Sequence, residues 1–449
     1  MHYSGPMRVA IDARQLWEMG IGTYVRNLLG GLARAGGREL ELTLLLPPRP
    51  WRDAWIDGEA ARAGFPGAVA AGGESGGGGP GGRGPAGEGP AGGEPAGGEL
   101  AEEERAGGEP GGRDSGEGEL RAAASPADCS WPAAVRWFEL TAPKQSMAEQ
   151  VAVPLRLARE RLDLVHAPHY VLPLAVSHPL VVTVHDVIHL LFPEFLTPFR
   201  RLIAGRLLAL ALRRARRVIT PSRRTADDVA RLYPFASRKL RVVSAGLSAV
   251  FAGGAPEPER IASWRRWHAL PERYCLAIGA VRPHKNLLHL ARAYAASGLG
   301  PEVGLVLAGE APARAPGLLD AIATAGGSGV RFIGRVAEAD LPLLYAGATL
   351  VALPSLYEGF GLPAVEAMAM GVPVVAAAAG SLPEVVGEAG LLVPPDDLAG
   401  WSAALRRVVR DPALRAELGA RGREHVTAHH RLERSGAETL AVYREALAS

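Results

Sequence analysis

The chain has 449 residues, 48% of them hydrophobic, and a formal net charge of +2. That length favours two hydrophobic cores over one, and the near-neutral balance argues against a general nucleic-acid binder. Cys129 and Cys275 are far apart and outside any C-x-x-C pattern, so neither a disulfide framework nor a zinc site is expected, and a reducing, cytoplasmic compartment fits best. No basic region followed by an apolar core opens the chain, so no signal peptide is expected. Apolar runs such as Leu202–Leu212 are too short and too interrupted by Arg to span a bilayer.

Met7–Ala13 reads as a buried strand, and Gly20-Ile21-Gly22-Thr23 as a glycine turn opening a helix over Tyr24–Arg34. Such a turn either lets a phosphate or sugar approach the backbone or is simply tight. Glu41–Leu46 is the second strand. Residues 66–127 are dominated by Gly, Pro, Ala and Glu. With almost no large apolar side chains they cannot offset their ordering entropy, which predicts a disordered insertion. A helix is expected over Ser146–Glu160. Strands follow at Val135–Leu140, Leu162–Pro168, Pro179–Asp186, Val218–Ser222 and Leu240–Ala245. Alternation of strands with helices predicts an α/β fold with a parallel sheet, whose ligands bind beyond the carboxyl ends of the strands. His166, His169, His185 and Asp186 fall there. Phe199–Arg217 carries Arg200, Arg201, Arg206, Arg213, Arg214, Arg216 and Arg217 among Leu and Ile. It is either a solvated helix face or a surface for anionic lipid.

A second alternating set begins near Tyr274. Strands are expected at Tyr274–Ala280, Val303–Gly309, Val330–Gly334, Ala348–Ser355, Val372–Ala377 and Leu391–Val393. Two Rossmann-like domains result, over 7–255 and 256–430, with the linker near Ala249–Arg260 and a last helix over 431–449. Two stretches of the second set hold the chemistry. In Leu353–Gly380 a strand runs into Glu358-Gly359-Phe360-Gly361, and a helix starts at Pro363 and ends at Gly371. The amides of Phe360, Gly361 and Leu362 then form an anion site at a helix N-terminus. Glu358 and Glu366 flank it, a pattern suited to a ligand with hydroxyls at both ends and phosphate in the middle. In Gly279–Asn286, Arg282 and Lys285 lie where a helix begins and can reach a diphosphate. Lys144, Lys239 and Lys285 are the only lysines in the chain, so a lysine at this place points to a need for a compact charge. No Asp-x-Asp occurs, so no carboxylate pair for a divalent metal is expected.

Glu358 and Glu366 with GFGLP between them, GVPVVA after them, and the Arg282–Lys285 turn resemble the retaining glycosyltransferases of GT-B fold, specifically family 4. The resemblance implies two Rossmann-like domains facing across a cleft, with the last helix packing back on the first. It implies that Glu358 and His185 meet the donor sugar, that Arg282 and Lys285 neutralise the leaving diphosphate, and that Glu366 takes the ribose hydroxyls. Gly22 would lie near the donor phosphates, and Thr23, His166, His169 and Asp186 near acceptor or donor. His185 has two competing readings, a core histidine or a metal ligand with His189; its place across a strand end disfavours the metal. For His166 and His169 a structural loop role stands equally open. The segments HAPHYVLPL, VTVHDVIHLLFPE and RPHKN look closest to mannosyltransferases of bacterial surface polysaccharides. Expected partners are therefore a nucleotide sugar, GDP-mannose before UDP-sugars, and a saccharide or lipid-linked acceptor, with no cofactor. The rival is a non-catalytic nucleotide-sugar-binding protein.

Overall fold

The computed structural model describes residues 5–16, 20–46, 117–120, 134–140, 147–171, 175–193, 196–311 and 316–449, and these belong to one compact unit. The first half holds β1 (Met7–Asp12), α1 (Ile21–Gly36), β2 (Leu40–Leu46), β3 (Glu117–Leu120), β4 (Ala134–Glu139), α2 (Met147–Leu157), β5 (Leu164–Ala167) and β6 (Leu180–Thr183). After them come α3 (Ile188–Leu191), α4 (Pro198–Arg214), β7 (Arg217–Thr220), α5 (Arg223–Leu232) and β8 (Leu240–Val242).

The strands are continuous Val, Leu and Ile runs because both faces of the sheet are covered. Successive side chains point to opposite faces. Val9 and Ile11 therefore join α1 residues such as Val25, Leu28 and Leu32 in one core. Ala10 points the other way, into a core with Val153, Leu208, Leu212 and Val229. The sheet order is β3-β4-β2-β1-β5-β6-β7-β8. Every pairing is parallel except that of β3 with β4. Residues 66–127, expected to be disordered, lie outside the described residues apart from Glu117–Leu120. Those four instead add an antiparallel edge strand to β4. Its ladder is made by main-chain groups, which composition does not reveal.

The second half holds α6 (Pro258–Trp267), β9 (Tyr274–Ile278), α7 (Leu287–Ser297), β10 (Gly304–Ala308), α8 (Pro316–Gly326), β11 (Val330–Phe332), α9 (Leu341–Ala346) and β12 (Leu350–Leu353). It continues with α10 (Leu362–Ala369), β13 (Val374–Ala377), α11 (Leu382–Val386), β14 (Leu391–Val393), α12 (Leu398–Arg410) and α13 (Pro412–His429). Its sheet is parallel, in the order β11-β10-β9-β12-β13-β14.

The last helix, α14 (Leu432–Ala448), returns to the first half and lies against α1. A Cβ on Gly436 would stand 2.0 Å from the Gly31 carbonyl oxygen, so the two helices touch backbone to backbone. The amide of Leu247 donates to the His430 carbonyl at 2.9 Å, tying the outgoing and returning crossings together.

Both sheets reverse direction once, between β1 and β5 and between β9 and β12. Ligands of open α/β sheets bind beyond the carboxyl ends of the strands at such switch points. Residues after Asp12, Ala167, Ile278 and Leu353 are therefore where chemistry is expected.

Candidate active site

At the second switch point β12 leads into the loop Pro354–Gly361. Gly361 caps α10 with φ +103°, the left-handed region that glycine enters freely. The amides of Phe360, Gly361 and Leu362 donate to no loop acceptor among the described residues. Glu358 accepts from Lys285 Nζ at 2.6 Å and from Ser355 Oγ at 2.6 Å. Burial alone would raise the Glu358 carboxyl; the Lys285 cation and these hydrogen bonds outweigh it and hold the group below the usual carboxylate range. Lys285 lies in a 3-10 turn, and left-handed Asn286 separates it from α7, so the helix begins two residues after the lysine. Arg282 is extended, exposed and without an ion-pair partner among the described residues. The amide of Leu356 donates to the His284 carbonyl at 2.8 Å, which fixes the two loops side by side.

Glu366 is buried on α10 and accepts from Tyr345 Oη at 2.6 Å. Burial pushes its carboxyl up to about 7, against the hydrogen bond from Tyr345 and with a further push from nearby Glu338.

From the first half, the half-buried His185 donates from Nε2 to the Pro168 carbonyl at 2.7 Å. A carbonyl only accepts, so Nε2 carries the proton and Nδ1 the lone pair. Burial lowers the histidine, with Pro168 and Asp186 only partly offsetting it. Tyr24 packs edge-on against its ring at 4.5 Å. Asp186 accepts from the Ile188 amide at 3.0 Å, just ahead of α3.

Two residues with expected contacts sit in close-packed surroundings. His166 is fully buried, with Nδ1 bonded to Tyr443 Oη at 2.7 Å and Nε2 to Thr183 Oγ1 at 2.8 Å. Both ring nitrogens are used, and burial, with His185 adding to it, pushes the group down to about 3. It joins α14 to the sheet, which fits the structural reading left open for it. At Gly22 the space a side chain would take is filled by the Leu16 carbonyl oxygen, 2.5 Å from an added Cβ. Close packing of the chain on itself accounts for that glycine. Thr23 Oγ1 accepts from Arg26 Nη2 at 3.1 Å. His169 Nδ1 accepts from the Val171 amide at 3.0 Å, on the wall of a cleft shared with Asp12, Arg14, Gln15, Glu149, Pro168 and Val171.

Sequence reasoning passed over the residues that tie the Pro354–Gly361 loop to the first half. Ser222 caps α5 and donates to the Gly359 carbonyl at 2.6 Å, joined by Thr225 Oγ1 at 3.0 Å. A Cβ on Gly359 would lie 2.1 Å from the His185 carbonyl oxygen, so only glycine admits this approach. Tyr357 donates to Asp228 at 3.0 Å, Glu384 accepts from the Arg223 and Arg224 amides, and Arg26 pairs with Glu338 at 2.5 Å. The one local signal was Ser222-x-x-Thr225 after a strand, a helix-cap pattern. Among the described residues no group of three or more His, Cys, Asp or Glu side chains is placed to hold a metal. None of the described helices is long and apolar enough to cross a membrane.

Residues 262–425 match the family described as glycosyl transferases group 1, and residues 110–249 match glycosyltransferase family 4. O-antigen chain mannosyltransferase B of Escherichia coli is 31% identical over 57% of this chain and 68% of its own. D-inositol 3-phosphate glycosyltransferase of Salinispora arenicola is 34% identical over 52% of this chain and 56% of its own. Sucrose-phosphate synthase of Thermosynechococcus elongatus superposes with a TM-score of 0.65 at 21% identity, over 98% of this chain and 99% of that one. With both halves matched in this way, and with two parallel sheets in the GT-B arrangement, the chain belongs to the group-1, family-4 glycosyltransferases.

Proposed function

We propose that the protein is a retaining, metal-independent hexosyltransferase that moves mannose from GDP-mannose to a saccharide or lipid-linked acceptor of a bacterial surface polysaccharide or glycolipid. The observation that carries this reading is the second switch point. There the Lys285–Glu358 pair lies beside the loop that opens α10, whose three amides meet no loop acceptor among the described residues, and the exposed Arg282 stands in the adjoining turn. A diphosphate entering there draws Lys285 from Glu358, gains Arg282 and the amides of Phe360, Gly361 and Leu362, and leaves Glu358 free to take hydroxyls of the sugar. Glu366, one turn along α10, takes the ribose hydroxyls. His185 offers its Nδ1 lone pair to a sugar hydroxyl.

In the transfer step the bond from the anomeric carbon to the departing phosphate oxygen breaks. The acceptor oxygen bonds to the same face of that carbon, and its proton passes to the departing phosphate. Arg282 and Lys285 stabilise the charge that builds on the diphosphate. The mannosyltransferase relative supports mannose as the sugar.

Melting curves in EDTA against GDP, UDP, ADP and their hexose conjugates test the donor, since a ligand of the folded state raises Tm. Stabilisation by GDP and GDP-mannose is expected; selective response to UDP replaces the donor. Arg282→Ala and Lys285→Ala are expected to lower kcat by about 10²–10³-fold, the range for a lost charge-stabilising group. Near-normal turnover of both would refute their role. Nucleotide binding without transfer to any acceptor would favour the non-catalytic reading.

The acceptor's lipid has a surface suited to it. Along α4, Phe199, Leu202, Ile203, Leu207 and Leu210 recur at helical spacing and are all exposed, while Leu208, Ala211 and Leu212 face the core. Arg200 and Arg206 are exposed among them. An ordinary solvated face has no reason to be apolar, so this helix is proposed to lie on anionic membrane. Sedimentation with phosphatidylglycerol vesicles is expected, and Phe199→Asp with Leu202→Asp is expected to abolish it; equal sedimentation of that variant refutes the contact.

A further inference from the structure

One ion pair between the halves lies outside both loops of the donor site. Arg26, on α1, and Glu338, in the second half, meet at 2.5 Å with side chains only 16% and 20% exposed. Arg26 is braced for this by its Nη1, which donates to the Leu16 carbonyl, and by its bond to the Thr23 hydroxyl. Glu338 is braced by Ser248, whose hydroxyl donates to the other carboxyl oxygen at 3.2 Å. Next to Arg26, Asn27 Nδ2 donates to the Gly246 carbonyl at 2.7 Å, so the same turn of α1 also holds the outgoing crossing.

Glu338 opens the 3-10 turn Glu338–Asp340, and Leu341 follows directly as the first residue of α9. From the other end of that short helix Tyr345 donates to Glu366 at 2.6 Å. Phe251, which follows Ser248 along the crossing, packs edge-on against the Tyr345 ring at 5.8 Å. Turn and helix thus lead from the ion pair straight to the buried carboxyl.

Burial is the main reason Glu366 resists ionising, and the charge of Glu338 adds to it, against the Tyr345 hydrogen bond. Two other elements pack on α10. On α13, Arg423 lies against Gly371, beyond the end of α10, and on α11, Glu384 is taken up by the Arg223 and Arg224 amides. Asp340 shares the turn with Glu338. A like charge disfavours the ionised form of a neighbouring carboxyl, and a cation set on that charge offsets the effect.

We propose that Arg26 and Glu338 are positioning residues for the nucleotide carboxylate: the pair formed between the halves lifts the repulsion of Glu338 from Glu366 and leaves Glu366 ready to take ribose hydroxyls as an anion. The ribose role rests on the donor reading above; the hold of the pair on Glu366 does not.

Carbon-13 NMR of the full chain, labelled at its glutamate carboxyls and free of nucleotide, reads the midpoint of Glu366, whose resonance is identified by its loss in Glu366→Gln. The wild-type midpoint is expected at about 7. Glu338→Gln is expected to lower it by about half a pH unit or more, and Arg26→Met to raise it by a similar amount. Opposite signs are the diagnostic, because a merely structural loss moves both variants the same way or neither. The double variant is expected to show the Glu338→Gln midpoint, since Arg26 acts through Glu338. Titration calorimetry with GDP is expected to follow: the pH at which affinity rises moves down in Glu338→Gln and up in Arg26→Met. Unmoved midpoints, or shifts of one sign in both variants, overturn the proposal. Should Arg26→Met fail to fold without its brace on Leu16, the midpoint of Glu338→Gln alone decides. GDP binding with unmoved midpoints overturns this proposal and leaves the donor reading standing. Midpoints that move as expected in a chain that binds no nucleotide support the hold of the pair on Glu366 and overturn the ribose role of that carboxylate.

Discussion

Glu366 shows how burial makes a carboxylate conditional. Its carboxyl titrates near 7 in the fold, raised first by burial, against about 4.3 in an unfolded chain. Below the lower value both states are protonated and the group is neutral in its effect. As pH rises from there through 7 the unfolded chain ionises first, so the fold loses stability across that window. A ribose hydroxyl donating to the carboxylate favours the ionised form, and so nucleotide binding gains what folding loses. Nucleoside diphosphate affinity is therefore expected to rise several-fold between pH 6 and pH 8, and Glu366→Gln to flatten the profile. Titration calorimetry at the two pH values reads this; an unchanged slope in the variant would sink it. The two described lysines share a different logic. Lys239 Nζ donates to the carbonyls of Leu212, Arg213 and Ala215 at 2.7 to 3.0 Å, closing the end of α4. Lys285 turns the same compact ammonium on Glu358. A planar guanidinium fits neither task as well.

Among the elements, α1 and α14 depend on their glycines. Gly31 and Gly436 meet so closely that a methyl group on either would overlap the opposite backbone. Gly436→Ala is expected to destabilise the protein by about 1–3 kcal/mol, the usual range for overpacking, seen as a Tm several degrees lower. An unchanged Tm would mean that the helices part without loss. Elements such as these were legible in the sequence where the physics is local. Buried parallel strands read as apolar runs, and the Gly361-Leu362-Pro363 start of α10 reads from helix-end preferences. The edge strand Glu117–Leu120 was not legible, because its pairing is main-chain only. His166 stood at a strand end like His185. What separates them is Tyr443, 277 residues further on, which occupies one ring nitrogen of His166. Ser222 and Thr225 were invisible as site residues for the same reason: their acceptor, Gly359, lies more than 130 residues away. Glu358, Glu366, Arg282 and Lys285 could be grouped from the sequence because each pair lies within a few residues of one loop or helix start.

For the whole molecule, several contacts between the halves fall on the Pro354–Gly361 loop and on α11 close by. Ser222 and Thr225 grip the Gly359 carbonyl, Tyr357 reaches Asp228, and Glu384 receives the first amides of α5. These contacts are expected to couple the closing of the two halves to the placing of this loop. Ser222→Ala with Thr225→Val removes both hydroxyls at about 1 kcal/mol each. The double variant is expected to have a larger radius of gyration in solution scattering and a donor KM raised about 10-fold, with the difference in size vanishing at saturating nucleotide. Identical scattering curves would separate closure from these contacts.

The return of α14 also bears on biosynthesis. Tyr443 completes the hydrogen bonds of His166, and Gly436 fills the groove on α1, so the first half waits during synthesis for a helix made after the whole of the second half. Until then a histidine and a helix face of that nascent half stand open. The core of the first half is therefore closed only by residues from the far side of the second.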